Sequence, residues 1–180
     1  MNTNTLSTAP GPGNAAAPLA SQGARPADDL GRLADLAKAQ AQRVLHKIPL
    51  LGPVTWLMMQ QGATRHTLLS ELEWRVLPPL VLDQAKLYLR DGAPLAYVSW
   101  AKLSQAAAQR YLASPHQLVA SDWASGDQIW IIDLFAPFGG VHEVMKDLRE
   151  NLFAGRALQQ LVPAELGLAK TFTWPATTPS

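Results

Sequence analysis

Apolar positions recur along this chain in two rhythms, one of 3.6 residues and one of 2. From Asp28 onward, Leu30, Leu33, Ala37, Ala41, Val44 and Ile48 return near helical spacing with Arg and Lys on the opposite side. With Asp28 or Asp29 as a cap, this predicts an amphipathic helix over 28–50 that packs on its own domain. "LGPVTWLMMQQG" predicts a second, short helix, because Pro53 suits a first turn and Gly62 a C-terminal stop. A third helical segment is expected around Leu68 to Trp74, ending before Pro78-Pro79. The rhythm then switches to alternation: "AKLYLR", the turn "DGAP" and "LAYVSW" predict a hairpin. An Ala-rich helix over Ser104 to Leu112, a strand over 128–136, an amphipathic helix in "GVHEVMKDLRENLF" and two weak strands, "GRALQQL" and "GLAKTFTW", complete the order. That order predicts an α+β domain over 51–175, with a mixed, mostly antiparallel sheet flanked by helices.

Residues 1–24 carry no charged side chain and are rich in Ala, Pro, Gly, Ser, Thr and Asn. Such a stretch buries too little to offset its ordering entropy, so a disordered tail is expected up to residue 27. The rest of the 180 residues suffices for one domain, and a net charge of +1 argues against a nucleic-acid partner. The N-terminus lacks the basic and apolar regions of a secretory signal, and no apolar run is long enough to span a bilayer. The cytoplasm is the expected compartment. Cysteine is absent, which excludes a thiol nucleophile, a disulfide framework and a thiolate metal site together. No metal-binding motif, phosphate loop or nucleophile elbow is present either.

One residue stands out against its surroundings. "DQIWIIDLFAPFGG" reads as a strand entering the core, yet Asp133 interrupts its apolar run. A buried carboxylate needs partners. It is either held by backbone N–H groups or an arginine, or it orients a histidine by fixing its tautomer and raising its basicity. Of the four histidines, His46 and His142 fall among charged helical neighbours and His116 in a turn, while His66 sits at a junction between two apolar helices. Spacing alone favours a structural over a catalytic role for each of them. Trp100, Trp123 and Trp130 read first as core, and "SGD" at 125–127 as a turn.

"LGPVTWLM", His66, "VLPPL", "LAYVSWAKLS" and "ASDWASGDQIWIIDLFAPFGG" appear in one order. From about Leu51 to Trp174 the chain resembles the RTX toxin-activating lysine acyltransferases, the haemolysin-activating proteins of Gram-negative bacteria. The resemblance implies a fold related to the GNAT acetyltransferases and, usually, a homodimer. It implies transfer of a fatty acyl chain from acyl-acyl carrier protein to internal lysines of an RTX protoxin, with no resident cofactor or metal. It carries two catalytic positions onto this sequence, His66 and Asp133, with Asp133 serving His66. Ala63 and Leu134 depart from the family pattern, which often has a serine and an aromatic residue there.

A thioester donor is already activated, so such an enzyme needs only to deprotonate a lysine and hold an oxyanion. His66 is then a general base or a transient acyl carrier. An apolar groove for the chain is expected between the helix ending near Gly62 and the sheet, with Trp100 and Trp130 as its substrate-binding side chains. Two other readings remain at this level. A CoA-dependent GNAT enzyme lacks its Gly-rich pyrophosphate loop here, and a non-catalytic chaperone or adaptor for an RTX protein or acyl carrier protein has no need of an inward Asp near a histidine.

Overall fold

A computed structural model describes residues 26–113, 118–163 and 169–177. The tail expected over 1–27 lies, up to residue 25, outside the described residues, as does His116. The chain divides into two units, Met1–Ala37 and Lys38–Ser180, and the sheet with its core belongs to the second.

The first two predicted helices are one, and the apolar side expected to pack on the domain is not buried: Leu30, Leu33, Ala37, Ala41 and Ile48 are exposed. Helix α1 runs unbroken over Pro26–Gln60 with Pro49 and Pro53 inside it. Each proline removes a backbone donor and crowds the preceding turn, which favours a break at this point. Tertiary packing overrides that preference: Val54, Leu57 and Met58 are buried against Val76, Leu80, Tyr97 and Phe135, and Leu50 and Leu51 pack beside them. Two short helices follow, α2 (Glu71–Arg75) and α3 (Leu77–Val81), the second opened by Pro78 and Pro79 in its first turn.

Strands β1 (Ala85–Arg90) and β2 (Ala93–Leu103) form the expected hairpin. Its turn is Asp91-Gly92, both at positive φ, the conformation that a two-residue hairpin turn requires. Helix α4 (Gln105–Ala113), strand β3 (Gln128–Phe135), helix α5 (Val141–Asp147), a π-helical turn (Leu148–Leu152), β4 (Leu158–Pro163) and β5 (Ala169–Trp174) complete the chain. The sheet has the order β1-β2-β3-β4-β5; only β3 and β4 are parallel, so the α+β architecture with a mixed, mostly antiparallel sheet is observed.

Both faces of the sheet are covered. On one, Ala96, Val98, Trp100, Ile129 and Ile131 meet Val144, Met145 and Leu148 of α5 and the turn after it. On the other, Ala101, Leu103 and Trp130 meet Ala107, Ala108 and Tyr111 of α4, while Tyr97 and Phe135 meet α1 and α3. This double burial matches a β2 that is buried on both sides from Ala96 to Ala101, where Ser99 is the one polar side chain besides the Tyr97 hydroxyl.

A polar cross-link ties α5 to β1. Asp147 Oδ2 accepts from Lys86 Nζ at 2.5 Å and from Tyr88 OH at 2.6 Å, and Oδ1 accepts from Asn151 Nδ2 at 2.9 Å. These hydrogen bonds hold the Asp147 carboxyl down at about 2. A depressed folded pKa adds stability that is present above the ordinary carboxylate range and lost as pH falls through the folded value. Asp147→Asn is therefore expected to lose about 1 kcal/mol at neutral pH, the magnitude of a solvent-screened pair. Urea titrations at several pH values check this: the gap from the parent should shrink as pH falls from the ordinary carboxylate range to about 2.

Candidate active site

Asp133 reaches its place through an irregularity in β3. Along β2, Ala96, Val98 and Trp100 face α5 while Tyr97, Ala101 and Leu103 face the other way. In β3, Ile129 and Ile131 share the α5 face, so strict alternation would put Asp133 there too. The register instead pairs Trp100 with Ile131 and Ser99 with Asp133, leaving Ile132 as an extra residue. Such a bulge flips every later side chain to the opposite face. Asp133 thus shares a face with Ser99, Tyr97 and Phe135, beneath α1, α2 and α4.

There its partner is an arginine. Arg75, the last residue of α2, donates from Nε to Oδ1 and Oδ2 of Asp133 at 3.0 and 2.9 Å, and from Nη2 to Oδ1 at 2.5 Å. The Asp133 side chain is 4% exposed and that of Arg75 22%. The guanidinium also lies over the Phe135 ring, 5.7 Å from its centre, and Nη1 is 3.9 Å from Glu71. Burial pushes the Asp133 carboxyl above its ordinary value, and the hydrogen bonds and charge of Arg75 oppose that rise. Two phenols feel the same carboxylate. Burial first, and then the Asp133 charge, raise Tyr97 and push Tyr111 up to about 12. The buried hydroxyls of Tyr97 and Ser99 neighbour one another, but neither completes a hydrogen bond.

His66 lies in the turn after α1 and is exposed. That turn is stitched to the end of β3: Ala136 N–H donates to Gln61 Oε1 at 3.2 Å, and the Trp56 and Phe138 rings meet at 5.5 Å. Thr64, buried two residues before His66, donates to the carbonyl of Met58 at 2.9 Å and anchors the turn. The segments carrying His66 and Asp133 therefore meet, but no hydrogen bond joins the two side chains. A cavity of about 180 Å³ opens beside the turn, walled by Met58, Met59, Leu68, Leu69 and Leu72 with Arg65 and Thr67 at its edge.

The expected groove between α1 and the sheet is corrected by this arrangement. Trp100 and Trp130 lie in the core on opposite faces of the sheet, so they share no groove. Trp100 packs edge-on to Phe153 at 5.3 Å; Trp130 packs edge-on to Tyr111 at 5.9 Å and donates to Gln128 Oε1 at 3.2 Å. A cavity of mixed lining lies instead between α1 and the 64–72 segment. His46 and His142 are exposed, as their charged neighbours implied. Among the described residues, no three His, Cys, Asp or Glu side chains cluster as metal ligands would. No helix among them is long and apolar enough to cross a membrane.

Residues 43–171 match the model of the RTX toxin acyltransferase family. The chain belongs to this family. It is 39% identical over 111 residues to the RTX-II toxin-activating lysine-acyltransferase of Actinobacillus pleuropneumoniae, covering 61% of this chain and 69% of that protein. It is 41% identical over 102 residues to the leukotoxin-activating lysine-acyltransferase of Aggregatibacter actinomycetemcomitans, covering 57% and 61%. It is 40% identical over 104 residues to a protein-lysine myristoyltransferase of Escherichia coli, covering 58% and 61%. The matched part of the chain thus spans 61% to 69% of the length of these relatives.

The "SDWASGD" stretch of this RTX toxin acyltransferase family member is architectural. Asp122 accepts from Arg110 Nη2 at 2.5 Å, and Ser125 Oγ accepts from the Ser104 N–H at 2.9 Å. Gly126 donates to the Lys102 carbonyl at 3.0 Å. Arg75 is the site residue that sequence reading left unnamed. The alternative of an arginine partner for Asp133 was open there, but five cations lie between Lys47 and Arg110 and only the fold selects one: Arg65, Arg75, Lys86, Arg90 and Lys102.

Proposed function

We propose that this protein is a protein-lysine fatty acyltransferase that moves an acyl chain from acyl-acyl carrier protein to internal lysines of an RTX protoxin and so activates it. The reading rests on the family match over residues 43–171. His66 serves as general base or transient acyl carrier and Asp133 as the carboxylate behind it. The Met and Leu side of the cavity beside the His66 turn suits the start of a fatty chain, since each buried CH₂ gains about 0.8 kcal/mol. Acyl carrier protein is the donor, no cofactor is resident, and the enzyme works in the cytoplasm as a homodimer. For Asp133 to serve an imidazole, the Arg75 fork must open.

The full engagement of Asp133 by Arg75, with His66 turned to solvent, favours a second reading: a non-catalytic adaptor for an RTX protein or acyl carrier protein. Intact-mass measurement of an RTX protoxin incubated with acyl-acyl carrier protein and this protein separates the two. The enzyme reading expects a mass gain of one or more acyl groups. His66→Ala should abolish that gain while melting within about 2 °C of the parent, because surface substitutions seldom cost more than about 0.5 kcal/mol. Tight protoxin binding without any mass gain supports the adaptor.

A further inference from the structure

We propose that Ser99 and Tyr97 are positioning residues for Asp133, which receive its carboxylate when Arg75 exchanges Asp133 for Glu71. This inference rests on the acyltransferase reading and adds a second arrangement of the site to it.

In the arrangement described, Asp133 is silent. Its side chain is 4% exposed and Arg75 occupies both of its oxygens. A carboxylate neutralised in this way neither orients an imidazole nor stabilises an imidazolium. Around it, the donors are mismatched. Ser99 Oγ and Tyr97 OH are fully buried and unpartnered, although buried hydroxyls are nearly always paired. Ser99 stands directly opposite Asp133 in the β2–β3 register, and the bulge at Ile132 puts both on one face with Tyr97. The two orphan donors therefore share a face with a carboxylate whose oxygens both accept from Arg75.

Arg75 also has somewhere to go. Its Nη1 is already 3.9 Å from Glu71, one helical turn back on α2, and the Glu71 side chain is 38% exposed. A rotation of the guanidinium outward completes that pair and frees Asp133 for Ser99 and Tyr97. Two discrete pairings of one arginine make a two-state element. The charged or titratable groups facing Asp133 are Arg75, with Glu71 behind it, from α2, Tyr97 from β2 and Tyr111 from α4. In the opened arrangement the two hydroxyls donate to the carboxylate and hold it as an anion, aimed where an imidazole can use it.

A stability cycle tests this without any activity assay. In the parent, Ser99→Ala and Tyr97→Phe remove unpartnered hydroxyls, so neither should lower the melting temperature. In Arg75→Met, Asp133 depends on those hydroxyls, and the same substitutions should lower it clearly, a non-additive cycle. Arg75→Lys, which keeps the charge without the fork, is the second background should Arg75→Met fail to fold. In the acylation assay, Ser99→Ala and Tyr97→Phe should each reduce kcat/KM at least tenfold and move the acid limb of the pH profile to higher pH. Equal melting shifts in both backgrounds, or acylation at the parental rate and pH profile, would overturn the proposal. A non-additive cycle in a protein that acylates nothing upholds the two arrangements and overturns the acyltransferase reading alone.

Discussion

Asp133→Asn is expected to remove lysine acylation and to lower stability together. The amide keeps the shape of the carboxylate but carries no charge, so it neither holds an imidazole tautomer nor stabilises an imidazolium. It also leaves the Arg75 fork with a single acceptor oxygen where it now has two. Breaking a buried pair by removing one partner costs about 3 to 5 kcal/mol. Arg75 is 22% exposed and has Glu71 within reach, so the lower end, about 3 kcal/mol, is expected here. For a chain of this size that corresponds to a drop in Tm of about 10 °C. Thermal melts beside intact-mass assays, run below the melting range of the variant, separate the two losses. An Asp133→Asn protein that melts with the parent and acylates at full rate would show that the Arg75 pair serves neither purpose.

The second large effect lies far from the reacting groups. Gly126→Ala should destabilise the fold by about 3 kcal/mol or more, because overpacking against an unyielding surface has few ways to relax. A Cβ at Gly126 would lie 2.5 Å from both Cα and N of Ser104 and 2.6 Å from the Leu103 carbonyl. All three are backbone atoms at the junction of β2 and α4, where Gly126 N–H and Ser125 Oγ already bond. The loop must therefore lift off the sheet, loosening Trp123, which is fully buried among Ala101, Leu103 and Tyr111. Denaturant titration measures the loss. The sequence reading of "SGD" as an ordinary turn is thus incomplete, since the glycine is demanded by a close approach and not by its dihedral angles.

Much of the fold was legible because local and tertiary preferences agree there. The alternation in "AKLYLR" and "LAYVSW" and the Asp91-Gly92 turn defined the hairpin without help from the rest of the chain. The Ala-rich pattern placed α4, and the apolar run from Gln128 placed β3. Where the two preferences conflict, the sequence misled. Pro49 and Pro53 signal a helix break, but α1 runs through both, with Leu50, Leu51, Val54, Leu57 and Met58 packed on one surface. Trp100 and Trp130 read as walls of one groove, whereas Trp130 pairs with Ala101, one register position from Trp100, and so faces the opposite side of the sheet.

The candidate site divides in the same way. The sequence by itself determined that Asp133 is inward and in need of a partner, because an ionised carboxylate in a run of Ile, Trp, Leu and Phe has no other reason to persist. It also determined the family, through motifs whose order no local rule explains. Only the tertiary structure decided which face Asp133 occupies and what it touches. A bulge adds one residue to a strand without leaving a distinct mark among β-branched neighbours, yet it moves the carboxylate across the sheet. The arginine that meets it lies 58 residues away on a five-residue helix, and a contact of that separation is fixed by packing and not by pattern.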